Sequence, residues 1–180
     1  MSKHENCSEI EIRAGIILIK VLPDGTSVYL TLKGNNTHDS IGKWGFPKGH
    51  MELEDKNDPI KTALRELWEE TRIVISYEAI NPENTFKCDR DTLIFYIVDL
   101  KESAAHIKMP DELRVVDPEE IVRIQWATLE QIIRIPEKDK NSPMRQWLAK
   151  NAPKGPPTRK WQEPGTQTSR QWKMNNTSWR

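Results

Sequence analysis

Residues 58–72, DPIKTALRELWEETR, constrain the fold more tightly than any other stretch of this chain. Asp58 is a helix N-cap by type, and Pro59 suits the first helical position, where a missing N–H costs nothing. Ile60, Ala63, Leu64, Leu67 and Thr71 recur at helical spacing, so one side of the helix has to be buried. The other side breaks a local rule. Glu66, Glu69 and Glu70 fall within about a third of the circumference, Glu66 and Glu70 as an i,i+4 like-charge pair. They occupy the last turns, where the helix dipole disfavours each anion by about 0.3–1 kcal/mol. Arg65, four residues before Glu69, is the one obvious local counter-charge.

Around this helix the pattern reads as strands. IEIRAGIILIK, residues 10–20, alternates and then runs apolar, as a strand entering a buried sheet does. Pro23-Asp24-Gly25 is turn chemistry, and SVYLTLKG after it is the returning strand. A glycine-rich loop, GNNTHDSIGKWGFPKG, leads to the helix. Further strands are expected at 73–79, 92–100 (TLIFYIVDL) and 121–127 (IVRIQWA). Thr128 with Gln131 forms a capping box opening a second helix, and Ser142-Pro143 starts a last one reaching about Lys150. Strands and helices mix without strict alternation, which predicts a mixed α/β sandwich over 10–150. Residues 1–9 are expected to be flexible. Residues 151–180, rich in Pro, Asn, Thr and Gln without periodicity, are expected to form a disordered tail.

Composition narrows the function classes. With 36% apolar and 30% charged residues, the 180-residue chain has material for one soluble domain. No apolar run approaches the roughly 18–20 residues of a spanning helix, and the first twelve residues lack the apolar core of a secretory signal. Cys7 and Cys88 stand apart, outside any CxxC or His-rich context; this argues against zinc and for a reducing, cytoplasmic setting. Net charge is zero but divided: residues 1–150 carry 21 Lys/Arg against 26 Asp/Glu, or −5, and residues 151–180 carry six against one, or +5. The tail interleaves Trp161, Trp172 and Trp179 with its cations, a pattern suited to single-stranded RNA as well as to a merely soluble extension.

A solvated acidic face is the plain reading of three glutamates, but such a face gains nothing from sitting at a helix C-terminus. A hard divalent cation resolves the conflict, because Mg²⁺ takes carboxylate oxygens and leaves positions for water and phosphate. The glycine-rich loop brings Lys43 and Lys48 to the same end of the helix, where backbone and ammonium groups can meet a phosphate. Loop, lysines and carboxylates together point to phosphoanhydride chemistry, with water attacking in line.

These residues resemble the Nudix hydrolases. Arg65-Glu66-Leu67-Trp68-Glu69-Glu70 matches the REUxEE half of the family's box, Gly49 matches its opening glycine, and WGFPKGH at 44–50 is similar to the loop of dinucleoside polyphosphate hydrolases, diphosphoinositol polyphosphate phosphatases and mRNA-decapping members. Arg13-Ala14-Gly15 is similar to the diadenosine tetraphosphate hydrolase group. The resemblance covers about residues 10–150. It implies a Nudix-type mixed-sheet α/β/α sandwich and an enzyme requiring Mg²⁺, with Mn²⁺ as a substitute. It also implies Glu66, Glu69, Glu70 and the Gly49 carbonyl as metal ligands, with Arg65 orienting the carboxylates. A further acid before the last strand is expected as ligand or base; counting six residues back from Trp126 gives Glu120, beside Glu119.

Two departures stand out. Gly49 and Arg65 are two residues further apart than in the family pattern, so the box's first glutamate has no clean counterpart: Asp55 is in register with Gly49, Asn57 with Arg65, and Glu52 and Glu54 crowd the same turn. Arg72 stands where the family has glycine, and an arginine tolerates positive φ poorly, so the helix is expected to end differently.

Other candidates are weaker. Lys33 and His50 are phosphate-contact candidates; Trp44 either stacks a base or anchors the loop in the core, the anchor being favoured. Phe86 and Tyr96 are pocket or core residues. The residues favour hydrolysis of a nucleoside diphosphate linked to another group, with dinucleoside polyphosphates first. mRNA decapping with an RNA-binding tail, diphosphoinositol polyphosphate hydrolysis, and a non-catalytic nucleotide-binding module are the alternatives.

Overall fold

The first strand, β1 (Arg13–Val21), is apolar on both sides because both its faces are covered. Ala14, Ile16 and Leu18 point into one core and Ile17 and Ile19 into another, the alternation of a pleated strand. The computed structural model describes residues 11–34, 42–89 and 92–152. The expectations for 1–9, most of the tail and part of the glycine-rich loop lie outside those residues.

In chain order the further elements are β2 (Ser27–Gly34), β3 (Trp44–Gly45), β4 (Lys48–His50), α1 (Pro59–Thr71), β5 (Val74–Ile75), β6 (Thr85–Cys88), β7 (Leu93–Asp99), β8 (Ile107–Lys108), β9 (Ile121–Thr128), α2 (Leu129–Arg134) and α3 (Ser142–Asn151). The main sheet runs β3-β2-β1-β7-β6, with β4 added to β1 and β9 to β2; β5 and β8 pair separately. β1 is parallel to β7 over its length, Arg13 opposite Leu93 through Ile19 opposite Asp99. It is antiparallel to β2 only beside the turn, from Ile19 opposite Tyr29 to Val21 opposite Ser27.

Beyond that point the two strands part, and the segment carrying β3 and β4 fills the split. β4 pairs with β1 at residues 13–15, and β3 with β2 at Leu32 and Lys33. The close approach depends on Gly15, where a Cβ would lie 2.2 Å from the Pro47 carbonyl oxygen and 2.7 Å from the Lys48 Cβ.

Helix α1 covers one face with Ile60, Ala63 and Leu67, while α2 and α3 cover the other with Ile132, Met144 and Trp147. The result is the mixed α/β sandwich the pattern predicts, in the mixed-sheet α/β/α form the Nudix resemblance implies. Asp58 caps α1 as expected, its Oδ1 accepting the Ile60 N–H at 3.0 Å, and Thr128 and Gln131 form the reciprocal box on α2.

The strand expected over 73–79 shortens to Val74–Ile75 and gives way to a 3₁₀ turn at Tyr77–Ala79. The sequence gives no sign of β3 and β4, which are too short for any period to show.

The end of α1 overturns an expectation. Arg72 does adopt the left-handed conformation, φ 60° and ψ 14°, and its N–H closes on the Trp68 carbonyl at 2.8 Å. The ordinary helix stop is therefore kept without glycine. The guanidinium lies 4.1 Å from the Trp68 ring centroid, a stacking contact that offsets part of the backbone strain.

Candidate active site

Arg65 is the structural hub. Its Nε and NH2 reach the two Asp55 oxygens at 3.3 and 3.0 Å, and its NH1 reaches Glu66 at 2.8 Å and Glu69 at 2.9 Å. NH2 also donates to the His50 carbonyl at 2.7 Å, tying α1 to the loop that precedes it, and Glu52 stands 3.5 Å from NH1. A planar five-donor fork is suited to this many acceptors in a way an ammonium is not.

The turn carrying the two extra residues folds compactly. A 3₁₀ turn spans Leu53–Asp55, and Lys56 and Asn57 both take positive φ, 54° and 60°. Asp55 is thereby placed in the interior at 3% exposure, where it accepts the Glu52 N–H and the Thr62 hydroxyl as well as Arg65. Burial pushes its carboxyl up, but the bonds from Arg65, the Glu52 amide and Thr62 outweigh it and hold the group below the usual carboxylate range. Of the acids crowding the turn, Asp55 grips Arg65 with both oxygens; Glu52 and Glu54 stay exposed. Thr62 was not anticipated as a polar partner, although it is polar and sits one position from the apolar stripe.

The remaining carboxylates are placed very differently. Glu66 lies against Gly49: a Cβ on that glycine would fall 2.1–2.2 Å from all three carboxyl atoms of Glu66. Glu70 accepts the backbone N–H of Lys48 at 3.2 Å, so the loop sits directly over both side chains. Glu66 is pushed up to about 7, first by burial and then by the charges of Glu69 and Glu120, against the opposing pull of Arg65. Burial raises Glu70 well above its ordinary value, Glu66 adds to the effect, and Lys48 only partly opposes it. Glu120, just before β9, thus stands within electrostatic reach of both; the backbone N–H of its exposed neighbour Glu119 donates to Asp117.

The sequence-level candidates therefore separate. Glu66, Glu70, Gly49 and Lys48 gather at one place, within electrostatic reach of exposed Glu120, with Glu69 on the exposed side against Arg65. His50 is exposed and 3.6 Å from Glu11, and Lys43 is partly buried where the chain enters β3. Lys33 lies 5.8 Å from the Trp44 ring centroid. Trp44 is 1% exposed inside the core, which leaves no ring face for a base and makes it the anchor. Phe86 and Tyr96 are core residues, on opposite faces of the sheet. Asn141 was missed: its side chain lies where a Gly45 Cβ would be, 2.1 Å from the amide nitrogen, so it locks the loop against α3.

Among the described residues, no three acidic or histidine side chains form a ready cage for a metal, since Arg65 draws Glu66 and Glu69 toward itself. Donor chemistry nonetheless fits a hard divalent cation. The group is all oxygen, it is cradled on a glycine that leaves no room for a side chain, and its burial disfavours carboxylate charge that the nearby Arg65 and Lys48 offset only in part.

The NUDIX domain family model matches residues 11–150. No curated protein matches the sequence significantly. Solved structures share the fold. The NUDIX domain of Shewanella oneidensis NrtR, complexed with ADP ribose, aligns with a TM-score of 0.56 at 18% identity over 77% of this chain and 83% of its own. A MutT NUDIX hydrolase from Burkholderia pseudomallei gives 0.51 at 19% identity over 77% and 95%, and the Mycobacterium smegmatis Nudix hydrolase RenU gives 0.51 at 15% over 81% and 89%. The chain belongs to the Nudix family.

Proposed function

We propose that the protein is a Mg²⁺-dependent hydrolase of nucleoside diphosphates linked to a second group, with dinucleoside polyphosphates such as diadenosine tetraphosphate as the favoured substrates. The observation that carries this reading is the placement of Glu66 and Glu70 beneath the Lys48–Gly49 backbone, partly buried and close enough that Glu66 pushes the Glu70 carboxyl up, with Arg65 reaching Glu66. Glu66, Glu69, Glu70 and the Gly49 carbonyl would hold the metal. When bound, it supplies charge neutralisation for the diphosphate and acidity for a water.

The chain's own groups do the rest. Arg65 holds Glu66 and Glu69 in orientation while Asp55 fixes Arg65 from behind, and Lys48 adds positive charge where a phosphate would lie. Glu120 is suited to take the proton of the attacking water. The water oxygen bonds to phosphorus, the anhydride P–O bond breaks in line with it, and the nucleotide on the far side of that bond leaves, its phosphate oxygen keeping the bonding electrons. ADP ribose, complexed with the NrtR domain, is itself a nucleoside diphosphate joined to another group and so belongs to the proposed substrate class. The WGFPKGH loop and the Arg13-Ala14-Gly15 entry favour the dinucleoside branch within it.

The test is a product-resolved assay with diadenosine tetraphosphate, capped RNA and diphosphoinositol polyphosphate, each with Mg²⁺. Turnover of the dinucleotide above the other two, falling sharply in Glu69→Gln, is expected. No turnover of it, or turnover untouched by that substitution, overturns the proposal. The basic, tryptophan-bearing tail favours capped RNA as the second reading, and the same assay separates the two.

A further inference from the structure

A second cavity lies on the α1 face of the sheet, far from the carboxylates. Its volume is about 510 Å³, within the roughly 300–1,000 Å³ typical of small-ligand pockets. It opens between the end of β1, at Lys20, and the segment following β7, and Trp126 of β9 forms part of its wall. Trp126 is six residues along β9 from Glu120, or about 20 Å at a strand's rise per residue. A ligand here would not touch the glutamates of α1.

The lining divides by chemistry. Trp126, Ile107 and Met109 give an aromatic and soft apolar surface for a planar ring, while Lys20 and Lys101 bring two ammonium groups against one carboxylate, Asp111. Positive lining is notable in a region, residues 1–150, whose net charge is −5. We propose that this cavity is a second binding site for a planar aromatic ligand carrying a phosphate, of nucleoside monophosphate size. The ring would lie against Trp126, the two lysines would meet the phosphate, and Asp111 would accept from ribose hydroxyls. Burial already lowers the Lys20 ammonium below its ordinary value, and a bound dianion would offset that cost. The proposal is independent of which anhydride the enzyme cleaves.

Calorimetric titration of the full-length, metal-free protein with adenosine monophosphate tests it; this probe has no anhydride to hydrolyse. One site is expected, with adenosine and orthophosphate each binding more weakly than the nucleotide. Lys101→Gln should weaken binding by roughly 10-fold, the scale of one charge-assisted contact. Ala104→Trp, at an exposed position on the rim, should abolish it, while Glu70→Gln leaves it unchanged. If Ala104→Trp fails to fold, the conservative surface change Lys101→Gln decides alone. Absence of binding at millimolar nucleotide, adenosine binding as tightly as its phosphate, full affinity in Lys101→Gln, or loss of binding in Glu70→Gln would each overturn the assignment.

Discussion

Asp55, in the turn before α1, and Glu70, in its last turn, are two carboxylates that desolvation pushes the same way, and they are treated in opposite ways. Asp55 receives the Arg65 fork, a backbone N–H and a hydroxyl, and its pKa is lowered. Glu70 receives one backbone N–H, sits near Glu66 and Glu120, and its pKa is raised. The protein completes the first site from its own groups; under the proposed function an added cation would complete the second. The contrast would then separate a carboxylate that stabilises the fold from one that the fold tolerates for its chemistry.

Exchanging charge at each site should break the symmetry most visibly. Glu70→Gln is expected to lower turnover by about 10³-fold, the scale of several kcal/mol of lost charge stabilisation, yet to raise the stability of the metal-free protein. Arg65→Ala should do the reverse in the fold: it strands buried Asp55 and costs about 3 kcal/mol of stability. Turnover should also drop by about 100-fold through misoriented ligands. Urea denaturation of both variants beside steady-state rates decides the matter. If both substitutions move stability in the same direction, the distinction between the two carboxylates is wrong.

The pH dependence of metal binding sharpens the same comparison. Glu66 titrates near 7 and Glu70 above its ordinary value, so both folded-state pKa values exceed those of the unfolded chain. The Glu66 contribution to metal-free stability is present below about 4.5 and is lost as pH rises through about 7, and that of Glu70 is lost in the same direction. Protons compete with Mg²⁺ at these oxygens, so the increase in Tm caused by Mg²⁺ should be small at pH 5.5 and grow by pH 8. At 100 times the dissociation constant, binding adds about 2.7 kcal/mol, or roughly 5–10 °C for a chain of this size. Asp55→Asn should lower Tm throughout without abolishing that rise. A Mg²⁺ increment independent of pH would remove Glu66 and Glu70 from the ligand set.

Much of this was legible in the sequence, for physical reasons that differ by residue. The α1 stripe, the Asp58 cap and the burial of β1 on both faces are periodic or local signals, and local signals survive folding. The acidic side of α1 was visible because it violates the dipole and spacing rules. What was not legible depended on distant partners. Asn141 against Gly45 and Lys48 over Glu70 join residues 96 and 22 positions apart, and nothing local marks them. Asp55 could be chosen over Glu52 and Glu54 only once the two left-handed residues Lys56 and Asn57 had turned it inward.

The smallest effect concerns the end of the same helix, where the sequence misled. Arg72 occupies a left-handed site that costs a non-glycine residue about 1–2 kcal/mol, and its stack on Trp68 returns about 0.5–1 kcal/mol. Arg72→Ala keeps the strain and loses the stack, so it should destabilise by about 0.5–1 kcal/mol. Arg72→Gly loses the same stack but relieves the strain, less the extra freedom glycine gains in the unfolded chain, and should lie within about 0.5 kcal/mol of the parent. Denaturation midpoints of the two variants measure the difference directly. Equal losses would mean that the left-handed turn carries no strain at this position, and that Trp68 alone explains why arginine is accepted there. A stable glycine variant with unchanged turnover would show that the terminus of α1 is handled independently of its carboxylates, although Glu70 is only two residues away.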